Sequence, residues 1–261
     1  MRQPVYVFDV DGVLRDIGEG MNLEVIARIA QLLHDGAHVA INTGRNQKRM
    51  HMVLDPLHDA VKDSHDLDHF MMATEMGGVI FTFQSGKHTT SNTQFKLDAA
   101  LKERANRMYH PDKHDTMEIS EKDSMATFVI REGADRDRFT AQRDELVKQL
   151  EAEFTDADVV ILPNLESIDV HAPHAGKQAG AQVIYEWLNQ VSDITHDDFI
   201  CFGDNNNDYD MARWFAEQGR RVRFVFTGRN LDVEYHAAVE VIDTDGLYTK
   251  GTLEFLDTLK D

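Results

Sequence analysis

The chain is poor in the features that would place it outside ordinary soluble globular proteins. Its 261 residues contain one cysteine, five prolines and two tryptophans. A lone Cys201 excludes an intrachain disulfide, so no covalent framework holds the fold and a reducing cytoplasm suits it. That cysteine sits in the apolar run Phe199-Ile200-Cys201-Phe202 and reads as a small buried strand residue. No apolar run approaches the roughly 18 residues that a spanning helix needs. The first residues lead almost at once into a strand, without a basic-then-apolar leader, so no secretion signal is expected.

Positive charge is scarce. Lys and Arg number 27 against 46 Asp and Glu, for a formal net charge of -19. Such a chain lacks the basic face that general nucleic-acid binding needs. It also repels anions at long range, so any anion site must be built from local cations. The acid surplus is mostly aspartate, which ordinary solubility explains as well as a salty habitat does.

What is present begins at Val5-Tyr6-Val7-Phe8-Asp9-Val10-Asp11-Gly12. An apolar run suited to a doubly buried parallel strand ends in two aspartates and a glycine. Buried carboxylates are costly unless something cationic pairs with them. Ligands of open α/β sheets bind at the carboxyl ends of the strands. Asp9 and Asp11 are therefore a candidate metal and catalytic pair. On a regular strand they would share one face, with Gly12 allowing a turn just beyond.

Further along, Asn22 can cap a helix bearing Val25, Ile26, Ile29, Ala30 and Leu33, with Gly36 as its stop. Val39-Ala40-Ile41 is a second buried strand, ending in Asn42-Thr43-Gly44-Arg45. This order implies a right-handed crossover and a parallel sheet. The polar stretch from Gln47 to about Phe70 suggests helix and loop. A strand follows within Met76–Phe83, preceded by Glu75 and broken by Gly77-Gly78. Residues 84–166 then change character. Helical patterns at Phe95–Met108 and Phe139–Phe154 mix with strands at Met125–Ile130 and Val159–Leu162, and Ser167–Val170 follows as another. The segment reads as an α+β domain inserted into a core formed by 1–83 and 167–261. Alternation resumes with a helix at Gln178–Leu188, the Phe199–Phe202 strand, a helix near Tyr209–Gln218, and strands Val222–Phe226 and Val239–Ile242.

A second acidic cluster, Gly203-Asp204-Asn205-Asn206-Asn207-Asp208, follows the Phe199–Phe202 strand. Thr227-Gly228 follows the next one. Acidic clusters on separate strands at one sheet edge offer hard oxygen ligands of the kind that suits magnesium.

These motifs resemble those of the haloacid dehalogenase superfamily. Asp9-Val10-Asp11-Gly12-Val13-Leu14 is similar to its first motif, Thr43-Gly44-Arg45 to its second, Lys177 in Ala175-Gly176-Lys177-Gln178 to its third, and Gly203-Asp204 through Asn207-Asp208 to its fourth. The long insertion resembles the cap of the branch holding Cof-like, trehalose- and sucrose-phosphate and mannosyl-3-phosphoglycerate phosphatases and phosphomannomutase. Glu75-Met76-Gly77-Gly78 is loosely similar to a short signature there.

The resemblance implies a doubly wound, mostly parallel Rossmann-like core with an inserted α+β cap. It implies magnesium-dependent hydrolysis of a small phosphate monoester, a sugar or sugar-acid phosphate, through an aspartyl-phosphate. Asp9 would be nucleophile, Asp11 acid and base, and Lys177 the catalytic cation that balances the charge of nucleophile and phosphoryl group. Asp9, Asp11, Asp204 and Asp208 would serve Mg2+, with Asp11 using its backbone carbonyl. Thr43, Gly44, Lys177 and Asn207 would grip the phosphate. The implied partner is a small phosphorylated metabolite, with neither nucleic acid nor membrane. A phosphosugar mutase uses the same residues, and a non-catalytic binding module would keep the fold. Thr43 could also cap a helix.

Several other residues have simpler readings. Arg45, Lys48 and Arg49 suit a solvated helix face. Asn205 and Asn206 can shape their loop. His58-Asp59, His65-Asp66 and His69 resemble the pairs of helical metal hydrolases, an architecture that the buried strands speak against. His171 and His174 lie near Lys177, in structural positions within reach of a substrate.

Overall fold

The computed structural model describes residues 4–192 and 196–260. Its eight-stranded sheet is built from β1 (Val5–Phe8), β2 (Val39–Asn42), β3 (Phe70–Thr74), β4 (Val79–Gln84), β5 (Lys87–Asn92), β10 (Asp198–Gly203), β11 (Arg221–Phe226) and β12 (Val239–Asp243). The strand order is β12-β11-β10-β1-β2-β3-β4-β5. All pairs from β12 to β3 are parallel, and β4 and β5 close one edge antiparallel.

Strand alternation sends successive side chains to opposite faces. Tyr6, Phe8, Val39, Ile41, Ile200 and Phe202 pack with α1 (Leu23–His34), α2 (His51–Ala60) and α7 (Thr249–Asp257). Val5, Val7, Ala40, Phe199 and Cys201 pack with α5 (Lys177–Val191) and α6 (Asn206–Glu217) on the other. Two buried faces make the strands apolar throughout, and the α/β class read from the sequence is the class observed. Asn22 caps α1 as expected, its side chain accepting from the amides of Glu24 and Val25 at 3.0 and 3.3 Å.

A second, antiparallel sheet has the order β6-β7-β9-β8, from β6 (Met117–Ser120), β7 (Ala126–Ile130), β8 (Val160–Pro163) and β9 (Ser167–His171). With α3 (Ala99–Arg107) and α4 (Arg136–Glu153) it encloses its own core, including Phe128, Phe139, Leu146 and Ile168. Sheet membership places the crossings after Asn92 and after His171, against the 84–166 span read from composition. β5 carries Lys87-His88-Thr89-Thr90-Ser91-Asn92, exposed throughout, so no apolar pattern marks it as a strand of the large sheet.

Three other elements escape sequence reading. β3 is fully buried, but its methionines suit a helix equally. β6 and α7 are short and weakly patterned. The expected strand at Asp9–Asp11 also differs. β1 stops at Phe8, and the chain turns away after Asp9 donates its amide to the Phe202 carbonyl at 3.1 Å.

Below the sheet, His38 sits among His69, His196 and Trp187, with ring centroids 5.0, 4.8 and 5.6 Å away. Burial, then the charges of His196 and His69, hold its pKa down at about 4, below the ordinary histidine value. The unfolded chain therefore takes up a proton that the folded chain refuses. The stability this leaves is present above pH 6.5 and is lost as pH falls from there toward 4. In thermal melts, His38→Asn should flatten the fall of Tm between pH 7 and 4.5; an unchanged slope would remove His38 as a cause.

Candidate active site

The site forms at the carboxyl ends of β1, β2 and β10, where parallel register brings three loops together. Asp9 follows β1, Thr43 to Arg45 follow β2, and Asp204 follows β10. α5 begins at Lys177, and α6 carries Asp208 in its first turn. Asp9, Asp11, Thr43, Gly44, Lys177, Asn207 and Asp208 line one cavity of about 630 Å³. Asp204 borders a neighbouring cavity with Arg229 and Tyr248 instead.

Carboxylate oxygens of Asp9, Asp204 and Asp208 lie within 4.8 Å of one another. Gly12 permits this crowding. Its φ is +71°, and a Cβ there would stand 2.4 Å from the Asp204 carboxyl carbon. Thr227 ties the loops from behind, donating its hydroxyl to the Gly12 carbonyl at 2.8 Å. Asn205 and Asp208 form a capping box at the start of α6. The second oxygen of Asp208 accepts from the amide of Asp204 at 3.0 Å.

Lys177 stands inside the acidic group. Its ammonium bonds Asp9 and reaches Asp208 at 2.7 Å and the Asn42 carbonyl at 2.6 Å. Of the three donors of an ammonium, two are spent on hydrogen bonds to Asp9 and the Asn42 carbonyl, while Asp208 Oδ1 is held by charge alone, outside hydrogen-bond geometry. Burial works against its charge, but Asp208 and Asp9 outweigh burial and raise its pKa.

Burial pushes the Asp9 carboxyl up to about 7 against the pull of Lys177, with Asp208 adding repulsion. Burial likewise raises Asp204 and Asp208. Three carboxylates around one ammonium leave uncompensated negative charge. Hard oxygen donors in that arrangement fit a magnesium ion.

Asp11 turns elsewhere. Arg45 grips it through two parallel hydrogen bonds, Nε to Oδ2 and Nη2 to Oδ1, both 2.6 Å. The two aspartates therefore do not share one strand face; each has its own cation. Arg45 does not lie on a solvated helix face either: it precedes the 3-10 turn Gln47–Arg49 and is turned onto Asp11. Lys48 pairs with Glu121 across from the small sheet, and Arg49 is exposed at the cavity. Asn46, not Thr43, caps that turn. Thr43 is buried and accepts the Arg45 amide at 3.3 Å.

Sequence reasoning also passed over Glu75 as a contact, and over Lys122 and Asp169, which line the cavity from the small sheet. An isolated Glu before Gly-Gly was the one available signal. His171 lines the cavity and His174 does not. His65 and Asp66 make short surface pairs with Asp68 and His34.

Replacing Lys177 should expose the electrostatic balance. Lys177→Met leaves Asp9 and Asp208 buried without their cation, a loss of about 3–5 kcal/mol for a broken buried pair. Urea unfolding should show that loss at pH 8 and a smaller one at pH 5, where the raised carboxyl of Asp9 takes a proton. Equal losses at both pH values would rule out the electrostatic cause.

Comparison with known proteins gives this geometry a family. A model of haloacid dehalogenase-like hydrolases matches residues 56–217. No curated protein matches the sequence. Among solved structures, the C-terminal domain of Candida albicans trehalose-6-phosphate phosphatase is similar at 18% identity and a TM-score of 0.68, over 98% of this chain and 91% of that one. A Thermoplasma acidophilum protein is similar at 16% identity and a TM-score of 0.66, over 98% of each chain. Aspergillus fumigatus trehalose-6-phosphate phosphatase is similar at 18% identity and a TM-score of 0.57, over 99% of this chain and 92% of that one. At such identities these likenesses speak for the fold, while the family model spans more than half of the chain. The chain belongs to the haloacid dehalogenase-like hydrolases.

Proposed function

We propose that the chain is a magnesium-dependent phosphatase acting on a small phosphate monoester, a sugar or sugar-acid phosphate, in the cytoplasm. The observation that carries this reading is the meeting of Asp9, Asp204 and Asp208 around Lys177 at the carboxyl edge of the sheet. Structural similarity to two trehalose-6-phosphate phosphatases supports the substrate class.

Asp9, Asp204 and Asp208 would hold Mg2+ together with the backbone carbonyl of Asp11. When bound, the ion supplies charge neutralisation at the phosphoryl oxygens. The chain's own groups do the rest. Thr43, the Gly44 amide and Asn207 bind and orient the phosphate, and Lys177 balances the charge shared by phosphate and nucleophile. A carboxylate oxygen of Asp9 attacks phosphorus, forming an aspartyl-phosphate as the bond to the leaving oxygen breaks. Asp11 gives that oxygen a proton, then takes one from the water that cleaves the aspartyl-phosphate and restores Asp9. Arg45 holds both Asp11 oxygens and must release one for that oxygen to carry the proton. The small-sheet lobe covers the site and limits bulk water.

Phosphate release from p-nitrophenyl phosphate and hexose phosphates, with and without Mg2+, tests the reading. Asp9→Asn should lower kcat at least about a thousandfold, as loss of a nucleophile does, with Tm retained. Activity surviving in that variant would eliminate the covalent route.

A further inference from the structure

β5 is an open edge of the large sheet. Its residues Lys87, His88, Thr89, Thr90, Ser91 and Asn92 are all exposed, and they pair with β4 alone. The pairing runs without a bulge from Lys87 opposite Gln84 to Asn92 opposite Val79. A two-residue loop fixes that register. Ser85 and Gly86 sit at φ 50° and 71°, the two positive values that a tight hairpin turn needs to match the twist of its strands. Across the hairpin, the hydroxyls of Thr82 and Thr89 meet at 3.1 Å.

Backbone alternation sets which groups of β5 face outward. The Thr93 amide donates to the Gly78 carbonyl at 3.0 Å, so that pair is hydrogen-bonded. Bonded and unbonded pairs alternate along an antiparallel ladder. Ser91, Thr89 and Lys87 therefore bond to β4, while the amides and carbonyls of His88, Thr90 and Asn92 point away from it.

An open edge of this kind invites another strand, and proteins blunt such edges with charge, proline or bulges. The other edges of the two sheets are blunted. β12 carries Glu240 and Asp243, β6 carries Glu118, and β8 ends in Pro163. β5 has neither acid nor proline, and a single lysine at its start. It lies in the longest acid-free stretch of the sequence, residues 76–97. Asp68 and Glu186 border the cavity on one face of the hairpin, and neither belongs to the edge strand. Two copies of a chain of net charge -19 repel one another, and an edge without carboxylates is where they approach at least cost.

The edge is also complementary to itself. An antiparallel pair centred on Thr90 sets that residue opposite its own copy, His88 opposite Asn92 of the second chain, and Thr89 opposite its Ser91. Every outward-facing residue then meets another outward-facing one, and Lys87 meets Thr93 rather than a second lysine. A two-fold axis through Thr90 closes the contact at two copies.

We propose that β5 pairs with β5 of a second copy of this chain, joining the two eight-stranded sheets into one continuous sheet across a homodimer. An edge pair is a small interface, so the dimer should dissociate at micromolar concentrations.

Sedimentation equilibrium over a micromolar concentration series, on wild type, Thr90→Pro and Thr90→Lys, tests the pairing. Wild type should pass from monomer to dimer as concentration rises. Thr90→Pro removes an outward amide and spares the ladder to β4. It should raise the dissociation constant at least about tenfold with Tm retained, as loss of two symmetric backbone hydrogen bonds does. Thr90→Lys, which sets like charges opposite one another at the axis, replaces it if Thr90→Pro does not fold, and added salt should restore part of its dimer. Amide hydrogen exchange locates the contact. As concentration rises, His88, Thr90 and Asn92 should gain protection, and Thr89 and Ser91, already bonded to β4, should not change. Wild type that stays monomeric at every concentration would overturn the proposal, including the case in which an extended segment of another protein takes the edge. So would a dimer that either folded variant keeps at full strength, or protection gained only outside residues 88–92.

Discussion

The ammonium of Lys177 is the contact on which the site depends. It joins the nucleophile candidate Asp9, the helix residue Asp208 and the backbone of β2 at Asn42. Without it, buried carboxylates from adjacent loops would repel one another, and burial already raises the pKa of each. Asn42 returns the contact, donating its side-chain amide to the Lys177 carbonyl at 2.7 Å. The start of α5 is thus stitched to the end of β2. The charge that makes the site chemically useful also holds its loops in register.

Around this centre the cations are distributed one to a task. Lys177 serves Asp9 and Asp208, Arg45 serves Asp11, and Lys122 serves Asp169. In a chain of net charge -19, each of these cations is already matched to carboxylates of the chain itself. The set of contacts around Glu75 joins the loops that carry Thr43, Arg45 and Gly176 to the small sheet. It satisfies a buried carboxylate with amide and hydroxyl donors, which is how a buried charge becomes tolerable without a cation.

Much of the fold was legible because it obeys periodicity. The doubly buried strands at Val5–Phe8, Val39–Asn42 and Asp198–Gly203 are apolar runs, and α1 announces itself by a cap and five buried positions. β3, β5 and β6 were not legible, since methionine-rich or polar segments become strands only by pairing with neighbours. Charge contacts were less legible still. Arg45 looks like any surface arginine until the loop after β2 turns it onto Asp11. Glu75, Lys122 and Asp169 lie far apart in sequence and have no shared spacing.

The sequence by itself determined the α/β class, the parallel core, and which strand ends carry aspartate, threonine and lysine, because these are written in local runs and motifs. Tertiary structure alone decided which charge meets which. It gave Asp9 to Lys177 and Asp11 to Arg45, and it brought Lys122 in from the other sheet. Ion pairing acts over a few ångströms of space, and it depends on distances along the chain only through the fold.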